Sequence, residues 1–172
     1  MKRPRIEIPE RFPHETRLRV RISDVNYGGH LGNDALLSLL QEARLAFLAT
    51  FGCSETDASG KADARGAQAG APAGPGLILT DAVLLYRAQA YHGDEIRIRT
   101  APAELARTGF RLVHQVVHAD TGREIARAAI GLAFFDYAAG RPARMPGAPP
   151  GSFLLASLRE VLSTNATKEP GG

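Results

Sequence analysis

Between residues 23 and 34 the chain reads SDVNYGGHLGND. A connector needs only turn residues, yet this one gathers Asp24, Asn26, His30, Asn33 and Asp34 around Gly28, Gly29 and Gly32. Each polar type has its own use. A carboxylate such as Asp24 can take a proton or attack an electrophilic carbon, whereas Asn26 can only orient a water or hydrogen-bond a carbonyl. His30 can donate to a developing oxyanion or hold the loop in shape. Gly28 and Gly29 leave room for a ligand to approach the backbone. Unpaired amides from Gly28 to Asn33, at the front of the helix that follows, can stabilise negative charge.

The flanking patterns say what holds this loop. ETRLRVRIS alternates, with Leu18, Val20 and Ile22 on one face and Arg17, Arg19 and Arg21 on the other, so it predicts a half-buried strand. If that strand stays extended, parity puts Asp24 and Asn26 on the same face as Ile22. DALLSLLQEARLAFLATFG has helical period. Leu36, Leu40, Ala43, Phe47 and Phe51 form one stripe, widened by Leu37, Leu39, Ala46 and Leu48. So broad an apolar arc must be wrapped by other elements. Asn33 suits the N-cap, Asp34 the first turn and Gly52 the stop.

Residues 54–76 are rich in Ala, Gly and Pro and are expected to form a flexible surface loop, with a lid as the functional alternative. Four strands follow: LILTDAVLLYRA, EIRIRTAPAEL, GFRLVHQVVHA and EIARAAIGLAFFDY. Turn signals at Gly93–Asp94 and Asp120–Arg123 join them. SFLLASLREVL predicts a short closing helix, and the last residues a frayed tail. The order implies an α+β fold, a curved antiparallel sheet wrapped around one long central helix. Its open edges invite a second copy.

Composition sets the outer bounds. The 172 residues, 44% apolar and 23% charged, fit one soluble globular domain. A net charge of +3, with no basic run interleaved with aromatics, argues against a nucleic-acid partner. Cys53 is the only cysteine, so no intrachain disulfide forms and a reducing cytosol is expected. The start MKRPRIEIPERF has no apolar segment behind it and is not a secretory signal. Gln41, Glu42 and Arg44 interrupt the longest apolar stretch, which argues against a membrane span.

Taken together, these motifs resemble the hotdog-fold acyl-CoA thioesterases of the 4-hydroxybenzoyl-CoA thioesterase type. SDVNYGGHLGND followed by QEARLAFL is similar to that family's acidic loop, Gly-His pair, asparagine and Glu-Ala-Arg helix. YRAQAYHGDEI is similar to its second strand and Gly-Asp turn, and FFDYAAGRPARMP to its final strand and exit. The likeness spans residues 16–146, leaving 1–15 as an N-terminal extension and 147–172 as the closing helix and tail. It implies a homodimer or homotetramer with sites between subunits. It also implies hydrolysis of an acyl-CoA or acyl-carrier-protein thioester, without a metal or redox cofactor.

In the commonest form of that family the loop carries two acids two residues apart, and the second is catalytic. That position falls on Asn26. Asp24 is the nearest substitute; the alternative is a structural acid accepting loop amides. Glu42 matches a helix glutamate used by related enzymes, beside the reading of a solvated or interface residue paired with Arg44 or another arginine. Asn33 is an N-cap or a substrate ligand, and Arg107 a contact for a CoA phosphate or a surface arginine. His114 and His118 share a strand face but lack a third metal ligand. His92 belongs to an exposed turn, and Cys53 lacks a partner base. Two other functions stay open: an acyl-thioester sensor or carrier that does not cleave, and an enoyl-CoA hydratase, whose Asp-His arrangement is not seen here.

Overall fold

The computed structural model describes residues 4–55, 75–144, 156 and 158–163. Its elements run β1 (His14–Arg19), a 3-10 turn (Ile22–Asp24), α1 (Asn33–Ala49), β2 (Gly76–Tyr86), β3 (Glu95–Ala106), β4 (Gly109–His118), β5 (Glu124–Asp136) and the short β6 (Arg141–Pro142). The strands form one sheet in the order β1-β3-β4-β5-β2, every pairing antiparallel, with β6 on β5. The expected order of strand, helix and four strands is what the chain adopts.

The helix is enclosed because its apolar arc is broad. Leu36, Leu39, Leu40, Ala43, Phe47 and Leu48 are buried, in one cluster with Ile96, Ile98, Leu112, Ile130 and Phe134 of the sheet. Phe47 stands edge-on to Phe51 with ring centroids 5.1 Å apart. Truncating a residue such as Leu40 to Ala costs about 2–5 kcal/mol, the lost transfer energy plus the cavity left behind. Leu37, expected to widen the stripe, is instead exposed, because it points off the flank of the arc. Gly52 ends the helix with φ 67°, and the Cys53 amide donates to Leu48 O at 3.1 Å, a glycine stop of the expected kind.

Two local expectations are corrected. The first strand does not stay extended to Asn26. After Val20 the chain turns, because the Asp24 carboxylate reaches back to the Arg21 amide at 2.8 Å and closes a 3-10 turn. Ile22 is thereby turned outward, 72% exposed, instead of joining Val20 in the core. Nor is Asn33 the N-cap. Gly32 takes that position in extended conformation, Asn33 is already helical, and no side chain caps the end.

Most of residues 54–76 and of 147–172 lie outside the described residues. At the base of the former, Glu55 pairs with buried Arg44 and accepts the Leu77 amide at 2.6 Å. Gly76, placed in the loop by composition, already belongs to β2. Residues 158–163 are helical, and Leu158 is buried in the core. Among the described residues no helix is long and apolar enough to cross a membrane.

Candidate active site

The loop from Asp24 to Gly32 is a small closed structure built by its own polar groups. Val25 and Leu31 form an isolated antiparallel bridge, the Asn26 amide donates to His30 O at 2.9 Å, and the Gly29 amide to Asn26 O at 3.0 Å. Asn26 Oδ1 accepts the Gly28 amide at 2.9 Å, so this side chain shapes the turn as an Asx residue does. Gly29 needs its glycine for φ 77°. Gly28 needs its own for a different reason: a Cβ there would stand 3.0 Å from His30 Nε2 and 3.2 Å from Asn26 Oδ1. Asn26 and His30 thus converge across a bare backbone. His30 Nδ1 lies 3.3 Å from Leu31 O. With the proton on Nδ1, it donates there and leaves Nε2 as an acceptor.

Two backbone bonds fix the end of this loop, one to the segment after β2 and one across the loop itself. The Leu31 amide donates to Ala90 O and the Gly32 amide to Asp24 O, both at 2.8 Å. They bring the front of α1 beside the end of β2 and the segment that follows it. Between them opens a cavity of about 250 Å³. His30, Gly32, Asn33 and Leu36 form one wall, and Tyr86, Arg87, Gln89, Ala90 and Ile125 the other. Of the amides from Gly28 to Asn33 expected to be unpaired, those of Gly28, Gly29, Leu31 and Gly32 are bonded within the fold. No side chain caps α1, so the amides of its first turn stand beside this cavity at the positive end of the helix dipole. Apolar Leu36, Ala90 and Ile125 suit a hydrocarbon group, the amides suit an oxyanion, and the accepting Nε2 of His30 suits a water. Tyr86 Oη lies 3.5 Å from Asn33 O, and its pKa is raised by burial and then by the charge of Asp34.

The expected site residues separate into those at the cavity and those elsewhere. His30 and Asn33 line it, while Gly28 and Asn26 stand behind His30. Asp24 is buried, with its carboxylate committed to Arg21: Oδ2 accepts Nε and Oδ1 accepts Nη2, both at 3.1 Å. The Arg21 hydrogen bonds hold its pKa below the ordinary aspartate value. Glu42 is exposed on α1, and Arg44 pairs with Glu55 instead of with it. Arg107 sits in the β3–β4 turn, a full strand from Ala90, roughly 35 Å along β3 at about 3.3 Å per residue. The structure does not bring it to this cavity.

His114 is buried, bonded to Thr100 Oγ1 at 3.0 Å, and burial lowers its pKa to about 3 with a contribution from Arg44. His118 instead accepts the Asp120 amide at 3.3 Å. Among the described residues no group of three His, Cys, Asp or Glu could hold a metal. A second cavity, about 280 Å³, lies by the Asp81–Arg111 ion pair, whose charges already satisfy each other. Tyr86, Arg87 and Gln89 were not foreseen. They come from a plain strand end more than fifty positions after the loop, and their run VLLYRAQ carries no motif that marks a site.

Solved structures share this architecture. A DHNA-CoA thioesterase from Staphylococcus aureus superposes with TM-score 0.71 at 14% identity, over 90% of this chain and 95% of that one. A 1,4-dihydroxy-2-naphthoyl-CoA thioesterase from Synechocystis does so with TM-score 0.67 at 16% identity, over 84% of this chain and 96% of that one. Identities this low speak to the fold alone. No curated protein sequence matches the chain. Residues 20–160 match the model of the thioesterase-like superfamily, and they include the loop, α1 and every strand from β2 to β6. With its α+β hotdog fold, the chain belongs to that superfamily.

Proposed function

We propose that the protein hydrolyses an acyl-CoA thioester to a free acid and a thiol, at the cavity before α1. The observation that carries this reading is the uncapped front of α1 beside a half-open, partly apolar cavity next to His30. Amides in that position stabilise the charge that grows on a thioester oxygen during attack. His30 Nε2, an acceptor, orients the attacking water, Asn33 borders the acyl group, and Gly28 and Asn26 set the position of His30. Arg87, exposed at the cavity rim, offers a positive charge for the phosphates of the CoA, a better-placed one than Arg107.

The cavity of a single chain falls below the roughly 300–1,000 Å³ typical of pockets for drug-sized ligands. A second copy supplies the missing wall. β2 is the sheet's edge beyond β5, eleven residues long, with Leu79 and Tyr86 exposed, and such an edge is normally covered. Its last residue, Tyr86, already lines the cavity. A homodimer through this edge, in a reducing cytosol suited to the lone Cys53, completes the reading. Sedimentation of the purified protein tests the assembly.

Thiol release from a panel of short-chain, long-chain and aryl-CoA thioesters tests the activity. Thiol release from at least one thioester, with saturation kinetics, is expected. The loop also motivates a second reading, since Asn26 places an amide where a carboxylate is expected. Tight acyl-CoA binding with no thiol released from any member of the panel establishes that non-cleaving reading instead.

A further inference from the structure

We infer that Asp34 is the general base of the hydrolysis, and that the bare backbone of Gly32 gives the Asp34 carboxylate its place at the edge of the cavity; this rests on the cavity being the thioester site. Gly32 has φ −69° and ψ 151°, extended backbone that any residue adopts, so conformation does not demand glycine there. Space does. A Cβ at Gly32 would meet Asp34 Oδ1 at 2.7 Å, whereas its other neighbours, Asp24 O at 3.5 Å and Ala35 Cβ at 3.7 Å, are ordinary contacts. The missing side chain is therefore filled by a carboxylate oxygen. Gly32 itself lines the cavity.

The opposite wall registers the same charge. Tyr86 lines the cavity, and Asp34 is the charged group that acts on its hydroxyl. Among the described residues, no hydrogen bond or ion pair holds the Asp34 carboxylate. It is available to accept a proton. The rival acids are not. Asp24 is engaged by Arg21, and Glu42 lies two turns further along α1, away from the residues that line the cavity. Asn26 has no carboxylate to offer.

The step balances as follows. Asp34 takes one proton from a water as the water oxygen bonds the thioester carbon, and the carbonyl electrons move onto the oxygen facing the α1 amides. Those electrons return, the C–S bond breaks, and the sulfur leaves with the bonding pair. Asp34 passes its proton to that sulfur, giving acid and thiol and restoring the carboxylate.

The test compares wild type with Asp34→Asn, Asp34→Glu and Gly32→Ala, each in the full chain, on the acyl-CoA that wild type turns over fastest. Asp34→Asn should lower kcat at least 100-fold with KM within threefold, and remove the acidic limb of the pH–rate profile. Asp34→Glu should recover at least tenfold of that loss. Gly32→Ala, whose Cβ pushes the carboxylate aside, should lower kcat about tenfold. A kcat for Asp34→Asn within threefold of an active wild type overturns the assignment while leaving the thioesterase reading intact. So does a loss that Asp34→Glu does not recover and that follows the fall in melting temperature, the mark of a helix-start role. If wild type releases no thiol at all, the reading beneath fails, and the base assignment with it.

Discussion

The Asp24 carbonyl accepts the Gly32 amide at 2.8 Å, so the residue that closes the 3-10 turn also seats the residue that opens α1. Asp24 serves both bonds at once: its carboxylate turns the chain inward, and its backbone sets where the helix begins. Its neighbour Arg21 is the reason it stays ionised.

Asp24→Ala should therefore lower stability by about 1 kcal/mol, the typical net worth of a lost hydrogen bond. The sign with pH follows from the direction of its shift. A carboxylate whose folded pKa is depressed by Arg21 stabilises the fold above its unfolded pKa and loses that contribution as pH falls through the folded one. The difference between wild type and Asp24→Ala in urea unfolding should be largest near neutrality and shrink as pH falls below the ordinary aspartate range. A difference that grows in acid would contradict the clamp.

Adjacent glycines should behave differently. Gly29→Ala meets no neighbour but must adopt φ 77°, costing about 1–2 kcal/mol of stability. Gly28→Ala meets His30 Nε2 at 3.0 Å, so it should displace the ring and lower kcat about tenfold or more. Thermal melting and steady-state thiol release on the two variants separate these effects. Equal losses of activity would mean that His30's position does not matter.

How much of this was legible beforehand depends on the range of the force that decides it. The fold follows from period: alternation for strands, a wide apolar arc for the helix, and turn residues between them. Tyr86 and Arg87 meet the loop only because the Ala90 carbonyl accepts the Leu31 amide, a contact across nearly sixty residues that no local pattern encodes. The loop was recognisable as the candidate site from its crowding. The roles inside it were not, since parity assumed an extended chain and one side-chain bond, Asp24 to the Arg21 amide, broke that assumption. The N-cap was misplaced for a similar reason. Asn33 has the better capping side chain, but the Gly32 amide is held by Asp24, and the helix starts after it.

Asn26→Asp should keep the loop, because an aspartate Oδ accepts the Gly28 amide as the asparagine Oδ1 does. It also adds a carboxylate next to His30. Placed on Asp34→Asn, it should raise thiol release at least tenfold over Asp34→Asn alone, by supplying a second base at the same cavity. No gain in that double variant would show that the Asn26 position does not face the reacting carbon.

His114 gives a prediction about acid. Its pKa, lowered to about 3 by burial and by Arg44, means that unfolded chains bind a proton that the folded chain refuses. Stability is then lost as pH falls from the usual histidine value toward 3. His114→Gln, which can still bond Thr100, does not titrate, so its stability should fall less steeply between about pH 6 and pH 4 than that of wild type. Urea unfolding at each pH measures both slopes, and identical slopes would remove His114 from the acid response.

The central claim is that the thioester reacts in the cavity between His30 and Ala90. Ala88 lines that cavity at its half-buried rim, so Ala88→Trp fills it from the wall opposite the loop, with every loop residue left unchanged. Thiol release from the best acyl-CoA should fall at least 100-fold while the melting temperature stays within a few degrees. Wild-type turnover in a folded Ala88→Trp protein would place the reaction somewhere else.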